Sequence, residues 1–141
     1  MTAITHSLLY LSGVEVSFDG IGRKFQKPTV FEMHTVEDNL LLALRGNRRV
    51  VHNLFWRRNA PDEGRIDQIL GTIRLGDHRA RAAGALSHGQ KQWLEIGMLI
   101  AQDPKLLLVD EPVAGMTDAE TETTADLFRE IAPDHSVIVG A

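Results

Sequence analysis

Apolar runs of strand length, with helix-start signals between and ahead of them, predict an α/β fold with a parallel sheet. Lys105 to Val109 is an apolar run of strand length, bounded by Asp103-Pro104 before it and by Glu111-Pro112 after it. An unbroken apolar run, as opposed to an alternating one, marks a strand buried on both faces of a parallel sheet. Ser136-Val137-Ile138-Val139 is a second such run, predicted as a last buried strand. Between these two runs, and ahead of the first, apolar residues recur at helical spacing. Two of the helices carry start signals, Ser87-His88-Gly89-Gln90 and Thr117-Asp118-Ala119-Glu120. Each puts a hydroxyl residue three positions ahead of Gln or Glu, the pattern of a capping box.

In chain order, Met1 to Ser7 is a polar start. Leu8 to Phe18 is strand-like, with its alternation clearest from Val14 to Phe18, and Asp19-Gly20 is a turn signal. Thr35 with Asp38 three residues on is another cap signature, and Val36, Leu40, Leu41 and Leu44 follow at helical spacing until Gly46-Asn47. Arg45, Arg48, Arg49, Arg57 and Arg58 are then interleaved with Val50, Val51, Leu54, Phe55 and Trp56. This stretch is either a solvated basic face over a small apolar patch or a contact for a membrane partner or acidic headgroups. Asn59 to Gly64 reads as a linker loop. Arg65 to Leu75 reads as a helix with Ile66, Ile69, Leu70 and Ile73 on one face, and Asp77 to Ala83 as a further helical turn or two broken at Gly84. The helix opened at Ser87 has apolar residues on more than one face and is expected to be well buried, with Trp93 as a packing anchor. The helix opened at Thr117 reaches about Ile131 with Leu127, Phe128 and Ile131 inward, and Pro133-Asp134 turns the chain into the last strand.

The 141 residues suit one domain, and the 43% apolar share allows a modest core. No cysteine is present, so there is no disulfide framework, which fits a reducing compartment. The formal charge of −4 argues against generic nucleic-acid binding. With no leader pattern and no long apolar run, the expectation is a soluble, cytoplasmic protein.

The chemistry concentrates between Leu86 and Glu120. Asp110 and Glu111 stand at the carboxyl end of the predicted central strand, where ligands of open α/β sheets bind. One carboxylate there can hold Mg²⁺ and its neighbour can orient or deprotonate a water, or both can simply be solvated acids at a strand end. The Ser87 helix start, with a small residue beside it, offers N–H groups and a positive dipole end to an anion, or is only a cap.

Leu86 to Gln90 resembles the LSGGQ signature of ABC-transporter ATPases, with His88 in place of the first glycine. Leu106 to Pro112 resembles their Walker B motif and catalytic Glu, Gly115 to Asp118 their D-loop, and Ile21 to Phe31 their Q-loop with Gln26 as the glutamine. The wording is most similar to the ATP-binding subunits of urea-type importers in the branched-chain amino-acid branch. The resemblance implies an incomplete P-loop (RecA-like) sheet with an inserted helical signature subdomain. Its parts would be an N-terminal strand region and Q-loop over 1–30, the signature subdomain over 31–102, and Walker B, D-loop and last strand over 103–141. The sheet would hold Ile21–Gln26, Lys105–Val109 and Ser136–Val139, with the Walker B strand in the middle.

The resemblance also implies ATP and Mg²⁺ as ligands, with Gln26 and Asp110 addressing the metal and Glu111 as catalytic residue. Ser87, His88, Gly89 and Gln90 would meet the γ-phosphate bound to a second ATP-binding subunit, and Asp118 would couple the two sites. Phe18 either stacks on adenine or is a packed strand residue. His88 either lies near phosphate or is a polar loop residue. Membrane-embedded permease subunits would be further partners, at the inner face of the cell membrane.

The sequence departs from the family in one decisive place. The family's Walker A, G-x-x-x-x-G-K-[ST], belongs between the N-terminal strands and the Q-loop, but Gly20 is followed at once by Ile21. None of the four lysines, Lys24, Lys27, Lys91 and Lys105, follows a glycine or directly precedes Ser or Thr. The phosphate cradle, its Lys and its Mg²⁺-binding hydroxyl are therefore missing. The switch His that the family has just past the last strand is also unmatched, since His135 precedes that strand. Two expectations follow: poor or no ATP hydrolysis by the chain alone, and an exposed apolar patch where a covering helix is lost.

Overall fold

The computed structural model describes residues 21–23, 30–45 and 60–140. Phe18, Gln26, the Leu8–Phe18 segment and the basic residues Arg48 to Arg58 lie outside the described residues. The described elements are β1 (Ile21–Arg23), α1 (Val36–Arg45), α2 (Ala60–Thr72), α3 (His88–Ala101), β2 (Leu106–Asp110), α4 (Asp118–Ile131) and β3 (Ser136–Gly140). The strands form a parallel sheet in the order β1-β2-β3. The apolar run that ends in two acids is therefore the middle strand, and Leu106 to Val109 are buried on both of its faces.

Each helix start follows from its sequence. Thr35 Oγ1 accepts from the Asp38 N–H at 3.0 Å and opens α1. Asn39, fully buried in the same helix, is satisfied on three sides. Its Oδ1 accepts from Phe31 N at 2.8 Å, and its amide donates to the carbonyls of Phe31 and Thr35 at 3.0 and 2.9 Å. Buried polar groups survive only when paired in this way. α3 and α4 both have complete capping boxes, at Ser87–Gln90 and Thr117–Glu120.

One continuous core runs from the helices to the sheet. Leu40 of α1, Ile66 and Ile69 of α2, and Leu94 and Ile96 of α3 meet Leu107 of β2 and Leu127 of α4. Gly97 is what lets α3 lie close to α2: a Cβ there would stand 2.7 Å from Ile73 Cδ1. Trp93, buried in α3, donates its indole N–H to Thr124 Oγ1 of α4 at 2.9 Å, which supports its reading as a packing anchor. Outside the core, Arg79 clasps Glu37 of α1 at 2.7 Å and also Asp67 of α2.

Three expectations need correction. α2 begins at Ala60, inside the stretch read as a linker, because Pro61 is compatible with a helix's first turn and Asp62 and Glu63 favour its positive end. The helical turns expected over Asp77 to Ala83 are two short 3₁₀ turns at its ends, Gly76–His78 and Ala83–Ala85, and Gly84 lies inside the second one and does not break it. The last strand is not buried: Ile138 and Val139 are 42% and 51% exposed. β3 pairs with β2 on one side, and the side chains on its far part find too little of the core to cover them.

Candidate functional site

The carboxyl end of β2 is the natural place to begin. Asp110 closes the strand half-buried, paired in register with Gly140 of β3. Its Oδ1 lies so near Gly140 that a Cβ there would stand 3.0 Å from it. Glu111 follows, exposed, and its N–H donates to the Gly140 carbonyl at 3.1 Å, one step beyond the ladder. Glu111 has φ +45°, in the left-handed region. Arg74 and Asp103 are also left-handed, but both stand just past helix ends, where that conformation is ordinary. Glu111 has no such reason. Backbone held in a sparsely populated region at a strand end is a feature that clusters at functional sites.

After Glu111 the chain makes two tight turns, closed by Ala114 N to Glu111 O at 3.2 Å and Met116 N to Val113 O at 3.1 Å. These turns carry the chain to the start of α3. His88 Nε2 lies 3.1 Å from the Ala114 carbonyl and donates to it, and Gly115, at φ +74°, packs beside the same ring. Ser87 Oγ accepts from Gln90 N at 3.2 Å and donates to Glu120 Oε1 at 3.0 Å. Gln90 turns its own Oε1 back to Ser87 N, and its amide nitrogen lies 3.1 Å from His78 Nε2.

Ser87 and Gln90 are both engaged within the chain, and Glu120 supplies a carboxylate at the α3 tip. Hydrogen bonds from the Thr117 N–H and hydroxyl, and from the Ser87 hydroxyl, hold that carboxylate below the usual glutamate range.

The structure brings Ser87, His88, Gly89 and Gln90 together at the α3 tip, and it links the tip to the loop after Asp110 and Glu111. Asp118 is exposed at the first position of α4, beside the Thr117 cap. Beneath the loop lies an apolar pocket of about 480 Å³, lined by Val113, Ala125, Phe128 and Val139 with Glu111 at its edge. Val113 and Val139 are exposed large apolar side chains on this side of the sheet, while Ile138, next to Val139 in β3, is exposed on the opposite face.

Glu120 and His78 were not singled out from sequence as site residues. Glu120 reads from sequence only as a cap, although a glycine at the second position of a capped helix signals that something approaches closely. Among the described residues no group of three or more His, Asp or Glu side chains is gathered into a metal cage. Mg²⁺ commonly takes only one or two carboxylates and completes its shell with water and phosphate oxygens, so Asp110 suits it in part.

The profile of the ABC transporter family matches residues 11–114. The chain belongs to the ABC transporter family. It is similar to the phosphonates import ATP-binding protein PhnC of Halobacterium salinarum, 31% identical over 119 residues, which are 84% of this chain and 42% of that protein. It is also similar to the high-affinity branched-chain amino acid transport ATP-binding protein BraF of Pseudomonas aeruginosa, 30% identical over 136 residues, or 92% of this chain and 53% of the relative. A solved ATP-binding cassette of an ABC transporter superposes with a TM-score of 0.71 at 27% identity, covering 85% of this chain and 50% of the other. This ABC-family chain therefore spans about half the length of the relatives it matches. Its fold is that of their cassettes: an α/β core with a short parallel sheet. Among the described residues no helix is long and apolar enough to cross a membrane.

Proposed function

We propose that this chain is part of an ATP-binding subunit of an ABC importer for urea, short amides or branched-chain amino acids, and that alone it hydrolyses ATP poorly or not at all. The observation that carries the reading is the strained Glu111 beside Asp110 at the carboxyl end of the central parallel strand, joined through Ala114 and His88 to a capped helix tip. In this reading Glu111 polarises the attacking water, and Asp110, with Gln26, addresses Mg²⁺. Ser87, Gly89 and Gln90 face the γ-phosphate of ATP held by a second subunit, and Asp118 couples the two sites. The partners are that second ATP-binding subunit and membrane-embedded permease subunits, which places the chain at the inner face of the membrane.

The expected inactivity rests on the absent Walker A. Phosphoryl transfer depends on positioning and charge neutralisation, and a chain without the cradle lacks most of both. A second reading is favoured by the same gap: the chain is a non-catalytic remnant that docks on a partner without binding ATP. Titration of the purified chain with Mg-ATP separates the two. No binding, together with association to an intact ATPase subunit or a permease, supports the remnant. Tight binding with turnover that is lost in Glu111→Gln supports a working enzyme and overturns the expected inactivity.

A further inference from the structure

We propose that Glu120 is a positioning residue for the α3 tip: it aims the Ser87 hydroxyl and makes the tip and the loop after Glu111 one mechanical unit. The proposal rests on the reading above, in which that tip faces a phosphate.

One carboxylate here serves the starts of two helices. Glu120 Oε2 accepts from the Thr117 N–H and hydroxyl, each at 3.0 Å, which closes the capping box of α4. Glu120 Oε1 accepts from the Ser87 hydroxyl at 3.0 Å, across to α3. A hydroxyl has one proton. Ser87 Oγ already accepts from the Gln90 N–H, so its proton is committed to Glu120 and its orientation is fixed from both sides.

Gly89 completes the device. A Cβ at this buried position would lie 2.5 Å from Glu120 Oε1 and 2.6 Å from its Cδ. Glycine at 89 is therefore the condition under which the carboxylate can reach Ser87. The second tie, His88 Nε2 to the Ala114 carbonyl, lies beside it. A displacement of the 111–120 segment is then carried to the tip through two hydrogen bonds, and it redirects the one hydroxyl proton that could point at a phosphate oxygen.

The test needs no nucleotide, so its failure is separate from failure of the ATP reading. Amide and carboxyl NMR of the full chain across pH is the measurement. The Ser87, Gly89 and Gln90 amides should titrate together with the Glu120 carboxyl, at a midpoint below the usual glutamate range. That response should vanish in Glu120→Gln. Glu120→Ala should speed hydrogen exchange at Gln90 and Lys91 severalfold, and Glu120→Gln should largely restore the slow rate, because its Oε1 still accepts from Thr117 and its amide can reach Ser87. Gly89→Ala should speed the same amides in the native background and add little to Glu120→Ala. Amide shifts that follow an imidazole resonance and not the Glu120 carboxyl overturn the proposal. So does additivity of Gly89→Ala with Glu120→Ala, or exchange unchanged in Glu120→Ala.

Discussion

At the scale of single residues, Glu111 and Glu120 carry opposite energetic signs. Glu111 sits at φ +45° with a Cβ that this conformation disfavours, so the strand end stores strain. Glu111→Gly should raise stability in urea denaturation by about 1 kcal/mol, while Glu111→Ala, which keeps the Cβ, should leave it nearly unchanged. A loss of stability in the glycine variant would mean that the carboxylate makes a compensating contact. Glu120 is stabilising instead. Its folded carboxyl is held below the unfolded value, so its contribution is fully present above the ordinary glutamate range and is lost as pH falls through the lower folded value. The acid limb of the stability curve should accordingly flatten in Glu120→Gln, as followed by urea midpoints at stepped pH. The difference is modest because the group is exposed to solvent. Asp110 and Glu111 could be read as a site from their place after an apolar run. The strain at Glu111 could not, since a left-handed φ on a non-glycine residue has no sequence signal when tertiary pairing imposes it.

At the scale of elements, the helices were legible where their signals are local. Thr35, Ser87 and Thr117 each cap the helix that their spacing announced, because a capping box involves only residues three apart. The start of α2 was missed because Ala60-Pro61-Asp62-Glu63-Gly64 carries loop-forming residues, which a helix tolerates in its first turns. The exposure of β3 was missed for a different reason. Ser136 to Val139 has the composition of a buried strand, and only the sheet order shows which residues have neighbours. The tight approach of α2 and α3 is a feature of packing that sequence hides in one glycine. Gly97→Ala should destabilise the chain by about 1–3 kcal/mol, since its Cβ would stand 2.7 Å from Ile73 Cδ1. Ile73→Val, which removes that methyl, should recover part of the loss in the double variant. If the two losses merely add in chemical denaturation, the helices are adjusting elsewhere.

At the scale of the whole molecule, the distribution of apolar surface decides behaviour in solution. The core binds α1, α2, α3, β2 and α4 into one unit, and its members reach near-complete burial. The edge of the sheet at β3 lacks that cover: Val113 and, on opposite faces of the strand, Ile138 and Val139 are 40–51% exposed, and an apolar pocket opens between Val113, Val139 and α4. Burying apolar surface is worth about 25 cal/mol per Å², so this strip favours association over solvation. Purified chain should therefore bind an apolar dye and self-associate with rising concentration. Val139→Thr combined with Ile138→Lys should reduce both effects without loss of helix content, because neither side chain belongs to the continuous core. Light scattering, dye fluorescence and circular dichroism on the same samples give the three readouts. A monomeric native chain that binds no dye would mean that the strip is covered within the chain itself. Association that survives the double substitution would place the sticky surface elsewhere, with Phe31, Met33 and Leu42 as the other exposed apolar side chains among the described residues.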